Sequence, residues 1–258
     1  MQNNLNPENF TLIACSYNTP ILTLTMLKSF AKLHGSGPFK LLLYDNSTNE
    51  ETATLLTEQK IPFIRNPGGL HGPTVTKALR ECKTPYALLV DTDIIFKQNM
   101  EHILSGFTQH LNIAAVGKAS GPRGGKNIAI RLDPWFCLFN TKLINDNKIM
   151  YYRQIVSTDK SPWVIYDIGS SFVLDIKEAN LKIVSINDID KFFTHYEGGS
   201  WRLNRYSPSG AIGDIDIDAT ACHDNRVLYD LGKNQAEEYN KENKDLIESV
   251  LPAGIFIV

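Results

Sequence analysis

The sequence predicts an α/β fold built on a mostly parallel sheet with helices packed on both faces. Three features predict it: short apolar runs recur along the first half, stretches with helical spacing separate them, and each run ends in a polar cluster. Strands that alternate with helices imply right-handed crossovers and strands buried on both sides. In such sheets ligands bind beyond the carboxyl ends of the strands, where the connecting loops converge.

TLIAC (Thr11 to Cys15), FKLLLYDN (Phe39 to Asn46), IPFIRN (Ile61 to Asn66) and the apolar run opening YALLVDTDIIF (Tyr86 to Phe96) read as the first four strands. Leu22, Met26, Phe30 and Leu33 repeat at helical spacing between the first two, and EETATLLTEQ is a weaker helical pattern after the second. Val75, Ala78, Leu79 and Cys82 mark another helix, with Gly72-Pro73 at its start. NIAAVGK reads as a strand, SGPRGGKN (Ser120 to Asn127) as a glycine-rich basic loop, and WFCLFN (Trp135 to Asn140) resumes the apolar pattern. YDIGSSFVLDIKEANLKIVSIN reads as a loop, a helix burying Ile168, Phe172, Ile176 and Ala179, and a strand. QAEEYNKENKDLIESVL is expected to be a largely exposed helix. No internal repeat, low-complexity tract or interdomain linker interrupts the pattern.

The 258 residues are 43% hydrophobic with a formal net charge of −2, enough for a sizeable core and too little basic excess to track nucleic-acid phosphates. MQNNLNPENF has no basic, apolar order of a signal peptide, and no apolar run approaches bilayer length. Cys15, Cys82, Cys137 and Cys222 lie far apart without a C-x-x-C, so they read as thiols in a reducing compartment and a cytoplasmic location is expected.

The chemistry concentrates in YALLVDTDIIF, where Asp91 and Asp93 interrupt an apolar strand. Two apart, their side chains leave on one face. Burying an unpaired carboxylate costs several kcal/mol, so the pair is expected to reach the open strand end and share a cation; hard oxygen ligands suit Mg²⁺ or Mn²⁺. A D-x-D by itself is a weak signal, and its place after a central strand is what gives it weight. Other motifs fail on their residues. SGPRGGKN lacks the leading glycine and the final Ser or Thr of a phosphate loop, PGGLHG has Pro67 at the first glycine of a dinucleotide fingerprint, and Ala219 and Asn225 break the calcium-loop pattern begun at Asp214.

LIACSYNTP, LLLYDNSTNE and RNPGGLHGPTVTKALRECKTPYALLVDTDI, in this order and spacing, resemble the nucleotide-sugar-binding half of GT-A fold glycosyltransferases, specifically the family two group. The resemblance covers the first half well and runs more thinly to Arg202 through YDIG and HYEGGSW. It implies a Rossmann-like α/β/α sandwich, with residues 1–118 binding the donor and residues 119–258 forming the acceptor-binding and catalytic half of a single domain with a C-terminal helical extension.

Specific roles are implied with it. Ser16, Tyr17, Asn18 and Thr19 would line the nucleotide, Asp45 would accept hydrogen bonds from the base or ribose, and Asn66 and Gly69 would lie beside them. Asp91, with Thr92, would hold the ribose or a metal-bound water, or share the metal. Asp93 would ligate the Mn²⁺ or Mg²⁺ that bridges the diphosphate, and His195 would complete that site. Asp167 would be the general base, although Tyr166 stands where the family commonly has glutamate. The plainer reading, that Asp167 caps the helix that follows it, ranks a little below the base, and Asp175 is a weaker rival. Trp201 and Arg202 would contact sugar and phosphate, and Gly198-Gly199 would let a loop close over the donor.

The implied reaction moves a sugar from a nucleoside diphosphate donor, UDP by family tendency, to a hydroxyl of a glycan, glycolipid or other acceptor, with inversion. Peripheral membrane association would come through the acceptor. Three other classes compete. A nucleotidyltransferase shares the nucleotide-binding architecture but normally carries a glycine-rich, basic loop right after its first strand, where SYNTP stands here. A haloacid-dehalogenase-like phosphohydrolase also places D-x-D after an apolar strand, but on the chain's first strand and followed by Gly-Thr, where Ile94-Ile95 stand here. A non-catalytic nucleotide-sugar-binding protein would bind donor without turnover.

Overall fold

A computed structural model of the chain describes residues 7–34, 37–120, 130–153, 155–157, 164–166, 168–196 and 237–258. Its first half alternates as expected: β1 (Phe10–Ser16), α1 (Pro20–His34), β2 (Phe39–Asp45), α2 (Glu51–Glu58), β3 (Ile64–Arg65), α3 (His71–Glu81) and β4 (Tyr86–Asp91). There follow β5 (Ile94–Phe96), α4 (Glu101–Thr108), β6 (Ile113–Ser120), β7 (Arg131–Asn140), α5 (Thr141–Asp146), β8 (Ile155–Ser157), β9 (Val164–Tyr166), α6 (Ser170–Glu178), β10 (Lys182–Ser185), β11 (Phe193–His195), α7 (Lys244–Glu248) and β12 (Phe256–Ile257).

Eight strands form one sheet in the order β10-β6-β7-β4-β1-β2-β12, with β3 also paired to β2. Every pairing is parallel except those of β7, which runs antiparallel to both β4 and β6. The chain lays β2 on one side of β1 and then returns to lay β4 on the other, so the strand order reverses at β1. Cys15 is in register with Asp91 there, and Ser16 with Asp45. That reversal opens the crevice in which α/β sheets bind ligands.

The strands are apolar without interruption because both faces are covered. Leu12 and Ala14 of β1 and Leu88 and Val90 of β4 enter one core with Met26 and Leu27 of α1, Leu56 of α2 and Leu104 of α4. Ile13, Ala87 and Leu89 enter the other, against Val75 and Leu79 of α3, Ile144 of α5, and Phe172 and Ile176 of α6. Each fully buried side chain of this size contributes about 1.5–3 kcal/mol. Alternation along β4 continues Ala87 and Leu89 into Asp91, which therefore leaves the sheet on the α3 face.

The later elements depart from the periodicity. β7, legible only as an apolar run, is the strand that breaks the parallel pattern, and it carries Arg131 to Trp135 to the edge where β4 ends. The C-terminal helix is two pieces, residues 237–242 and α7, parted at Asn243. It is largely exposed, but Tyr239 is buried beside Leu22 and Ile95, Leu246 and Ile247 pack half-buried against that cluster, and the Lys28 ammonium donates to the Ile247 carbonyl to fasten α7 to α1. β12 adds a parallel strand to β2 that its short sequence did not announce. The SGPRGGKN loop lies outside the described residues beyond Ser120.

One buried histidine makes the fold sensitive to acid. His34, at the end of α1, stacks on Phe30 and meets Phe96 edge-on; its Nδ1 pairs with the Phe30 carbonyl at 3.0 Å and its Nε2 accepts the Met100 amide at 3.1 Å. That acceptance requires the neutral ring, and burial lowers its pKa below the ordinary 6.5, opposed by the Phe30 carbonyl and Glu101. The unfolded chain then takes up the proton first, so this contribution to stability is present above pH 6.5 and is lost as pH falls through the lowered value. His34→Leu should be less stable than the parent at pH 7.5 in urea unfolding, with the gap narrowing by pH 5. A gap independent of pH would contradict the assignment.

Candidate active site

The polar residues of the strand ends converge on the edge where β1 and β4 diverge from their neighbours. Asp91 closes β4, Thr92 and Asp93 turn, and β5 begins at Ile94. β5 pairs antiparallel with β11, opposing Ile94 to His195, and the Tyr196 amide donates to the Asp93 carbonyl at 2.9 Å. This small two-stranded sheet brings a residue a hundred positions away onto the D-x-D. His195 Nε2 lies 3.4 Å from Asp93 Oδ1, and one ligand atom from each of Asp91, Asp93 and His195 falls within 4.8 Å of the others.

The electrostatics of this cluster suit a cation. Asp93 is 2% exposed, and the Asp91 carboxyl, 28% exposed, is pushed up to about 8 by burial and then by the charge of Asp93, with His195 offsetting part of the rise. The Cys15 thiol in register with Asp91 is pushed up by burial and by the same carboxylate. Two carboxylates held together against their repulsion, with an imidazole beside them, form a donor set that Mn²⁺ fits, and Mg²⁺ through its oxygens.

A residue not singled out in the sequence backs this cluster. Trp135, near the start of β7, lies with its ring 4.9 Å from that of His195 and tilted by 31°, edge-on to Phe193, with the Lys118 ammonium 5.7 Å from its centre. Read only as part of an apolar run, Trp135 gave no signal; the antiparallel turn of β7 is what delivers it.

The other expected residues form a second, neighbouring group. Ser16 Oγ bonds Thr23 Oγ1 at 2.7 Å and lies 3.3 Å from Thr19 Oγ1, which in turn lies 3.3 Å from Thr92 Oγ1. Tyr17 is half-buried at the same loop. Asn18 adopts φ 51°, gives its amide to Ser47 Oγ, and accepts the Thr48 amide. Asn66 donates to Asn46 Oδ1 at 2.8 Å, and a Cβ on Gly69 would fall 2.0 Å from the Asn66 amide nitrogen, so only glycine lets that pair form.

Asp45, expected to meet base or ribose, is fully buried. Its Oδ2 takes Arg65 Nη1 at 3.0 Å and its Oδ1 takes the Ser47 amide, because β3 sets Arg65 in register beside it. Arg65 also bonds the Ser47 and Asn49 carbonyls and Glu50, so Asp45 organises the loop from below. Asp175, the weaker base candidate, is engaged by the Arg153 guanidinium and the Met150 amide. Asp167, Trp201 and Arg202 lie outside the described residues, next to α6 or beyond β11.

These features define the class of fold: GT-A, the Rossmann-like α/β/α architecture with its acidic pair at the switch point. No family model and no curated protein matches the sequence. Among solved structures, residues 1–349 of S. aureus TarS in complex with UDP-GlcNAc superpose with a TM-score of 0.51 at 15% identity, over 94% of this chain and 76% of that one. A mannosyltransferase from Pyrobaculum calidifontis, in complex with GDP-Man and Mn²⁺, superposes with a TM-score of 0.50 at 12% identity, over 77% of this chain and 61% of its own, so the chain spans less than two thirds of that protein.

Asp91 burdens the fold wherever it is ionised. Its folded pKa lies above the ordinary 3.8, so the folded state binds the proton more tightly and this group's penalty grows as pH rises from 3.8 towards 8. Asp91→Asn should therefore raise the metal-free melting temperature at pH 8, by about 2–4 °C for each ~1 kcal/mol relieved, with no gain at pH 4. It should also weaken the Mn²⁺-induced shift. A variant less stable than the parent at pH 8 would contradict the account of the cluster.

Proposed function

We propose that the protein is a metal-dependent glycosyltransferase of the family two type, moving a sugar from a nucleoside diphosphate donor to an acceptor hydroxyl with inversion. The observation that carries this reading is the meeting of Asp91, Asp93 and His195 at the switch point of a GT-A sheet. Asp93 and His195 would hold Mn²⁺ or Mg²⁺, with Asp91 sharing it or binding a water on it. When bound, the ion supplies Lewis-acid stabilisation of the charge that develops on the departing diphosphate.

The chain's own residues do the rest. The loop of Ser16 to Thr19, braced by Ser47 and Thr48, and the Asn46–Asn66 pair beside Gly69 would seat the nucleoside, with UDP as the favoured carrier. Trp135 holds the His195 ring in place. Asp167, ahead of α6, would remove the acceptor proton as the acceptor oxygen bonds to the anomeric carbon and the bond to the diphosphate breaks from the opposite face. Trp201 would close on the sugar. The acceptor is a hydroxyl of a glycan, glycolipid or similar molecule; among the described residues no helix is long and apolar enough to cross a membrane, so contact with a lipid-linked acceptor would be peripheral.

A thermal-shift panel of UDP, GDP and CDP and their sugars, each with Mn²⁺ and with chelator, tests the reading. A ligand at a hundred times its dissociation constant adds about 2.7 kcal/mol, or roughly 5–10 °C at this size. A metal-dependent shift with one base is the expected result, and folded protein that responds to no nucleotide would overturn the proposal. With donor and acceptor found, Asp167→Asn should keep donor binding and lose roughly 10²–10⁴ of the transfer rate; unchanged transfer would remove Asp167 from the mechanism. Donor binding with no transfer to any acceptor would favour the non-catalytic alternative.

A further inference from the structure

His71 has no role in the scheme above, yet it sits at the same edge. It is the first residue of α3, and its Nε2 lies 4.0 Å from Asp91 Oδ1. That nitrogen is buried and has no hydrogen-bond partner among the described residues. Deeper on the same face, Tyr151 is fully buried, its hydroxyl also lacks a partner among the described residues, and its phenol lies within electrostatic reach of Asp91.

A buried polar atom without a partner costs about 1–3 kcal/mol, and such groups in a native structure call for an explanation such as a ligand. On the nucleoside side the polar groups already bond one another, through Asn18 to Ser47 and Thr48, Asn66 to Asn46, and Arg65 to Asp45. His71 Nε2 and the Tyr151 hydroxyl, without partners among the described residues, lie instead on the α3 face of the sheet, towards which Asp91 points. The close cluster of metal-ligand atoms comprises Asp91, Asp93 and His195, with His71 adjoining it through Asp91.

The chemistry of the gap selects its occupant. A separation of 4.0 Å is too long for a direct hydrogen bond, and an oxygen set between the two atoms would be within reach of both. A phosphate oxygen only accepts and would be repelled by Asp91. A hydroxyl donates its proton to the carboxylate while accepting from the imidazole N–H, so it satisfies both. In a sugar nucleotide, the substituent on the second carbon of the transferred sugar stands one carbon closer to the diphosphate than the nearest ribose hydroxyl.

We propose that His71 reads the donor's sugar: together with Asp91 it binds a hydroxyl of the transferred sugar, and so discriminates sugar nucleotides from the bare nucleotide. This rests on the donor reading above, and the test separates the two. Calorimetric titrations with Mn²⁺ alone, then with the pairs UDP and UDP-glucose, and GDP and GDP-mannose, are made on the parent, His71→Ala and His71→Gln. In the pair that binds the parent, His71→Ala should weaken the sugar nucleotide by about tenfold, the worth of one such hydrogen bond, while Mn²⁺ and the bare nucleotide bind as before. His71→Gln, which keeps hydrogen-bonding atoms, should recover part of the loss and serves if the alanine variant does not fold. Equal losses for nucleotide and sugar nucleotide, or a loss of Mn²⁺ affinity without nucleotide, would overturn the role of His71. Failure of the parent to bind UDP, GDP, CDP or any of their sugars would remove the donor reading itself.

Discussion

The structure is organised around a repulsion. Asp91 and Asp93 are brought together at the end of a strand buried on both faces, where water does little to screen them, and one carboxyl is held well above its ordinary range as a result. A fold selected for stability alone would have placed an apolar or singly charged residue there, since an uncompensated buried charge is among the more costly features a domain can carry. The elements around the pair act to keep it in place. β5 starts directly after Asp93, β11 closes on β5, and the rings of His195 and Trp135 pack together beside the pair. A divalent ion held there would relieve the same repulsion, and metal binding would then be coupled to stability.

The two flanks of this centre differ in how finished they are. On the flank of β1 and β2, the loops lock one another: Asp45 anchors Arg65, Arg65 ties Ser47, Asn49 and Glu50, and Asn18 clamps the same loop at Ser47 and Thr48. Such a surface is preorganised and meets a ligand with little reordering. On the flank of α3, His71 and Tyr151 hold polar atoms that no described neighbour satisfies. A crevice with one completed wall and one wall awaiting partners suits a ligand whose two ends do different work.

Much of this was legible in the sequence because it is local or periodic. Strands buried on both faces leave continuous apolar runs, so β1, β2 and β4 stood out, and the helical spacing of Leu22, Met26 and Phe30 marked α1. Asp91 and Asp93 were visible as charges that an apolar strand would not otherwise keep. His195 was reachable only through family resemblance, since the β5–β11 pairing that delivers it spans a hundred residues. The rest depends on tertiary placement. The direction of β7 is set by which edge the chain returns to, which an apolar run such as WFCLFN does not encode, and Trp135 went unnoticed for that reason. Asp45 was given its place beside base or ribose by the resemblance, and its pairing with Arg65 depends on the register of β3, two residues long. His71 resembled any helix-opening residue until its distance to Asp91 was known, and Phe256 and Ile257 are too few to announce an edge strand.

The most direct measurement is pulsed electron paramagnetic resonance of Mn²⁺ bound to the protein, before and after addition of the nucleoside diphosphate that stabilises it. The account predicts a nitrogen coupling from one histidine that disappears in His195→Ala, and a phosphorus coupling that appears with the nucleotide. A spectrum of fully hydrated Mn²⁺ with no nitrogen coupling, unchanged by nucleotide, would contradict the claim that Asp91, Asp93 and His195 hold an ion for a diphosphate.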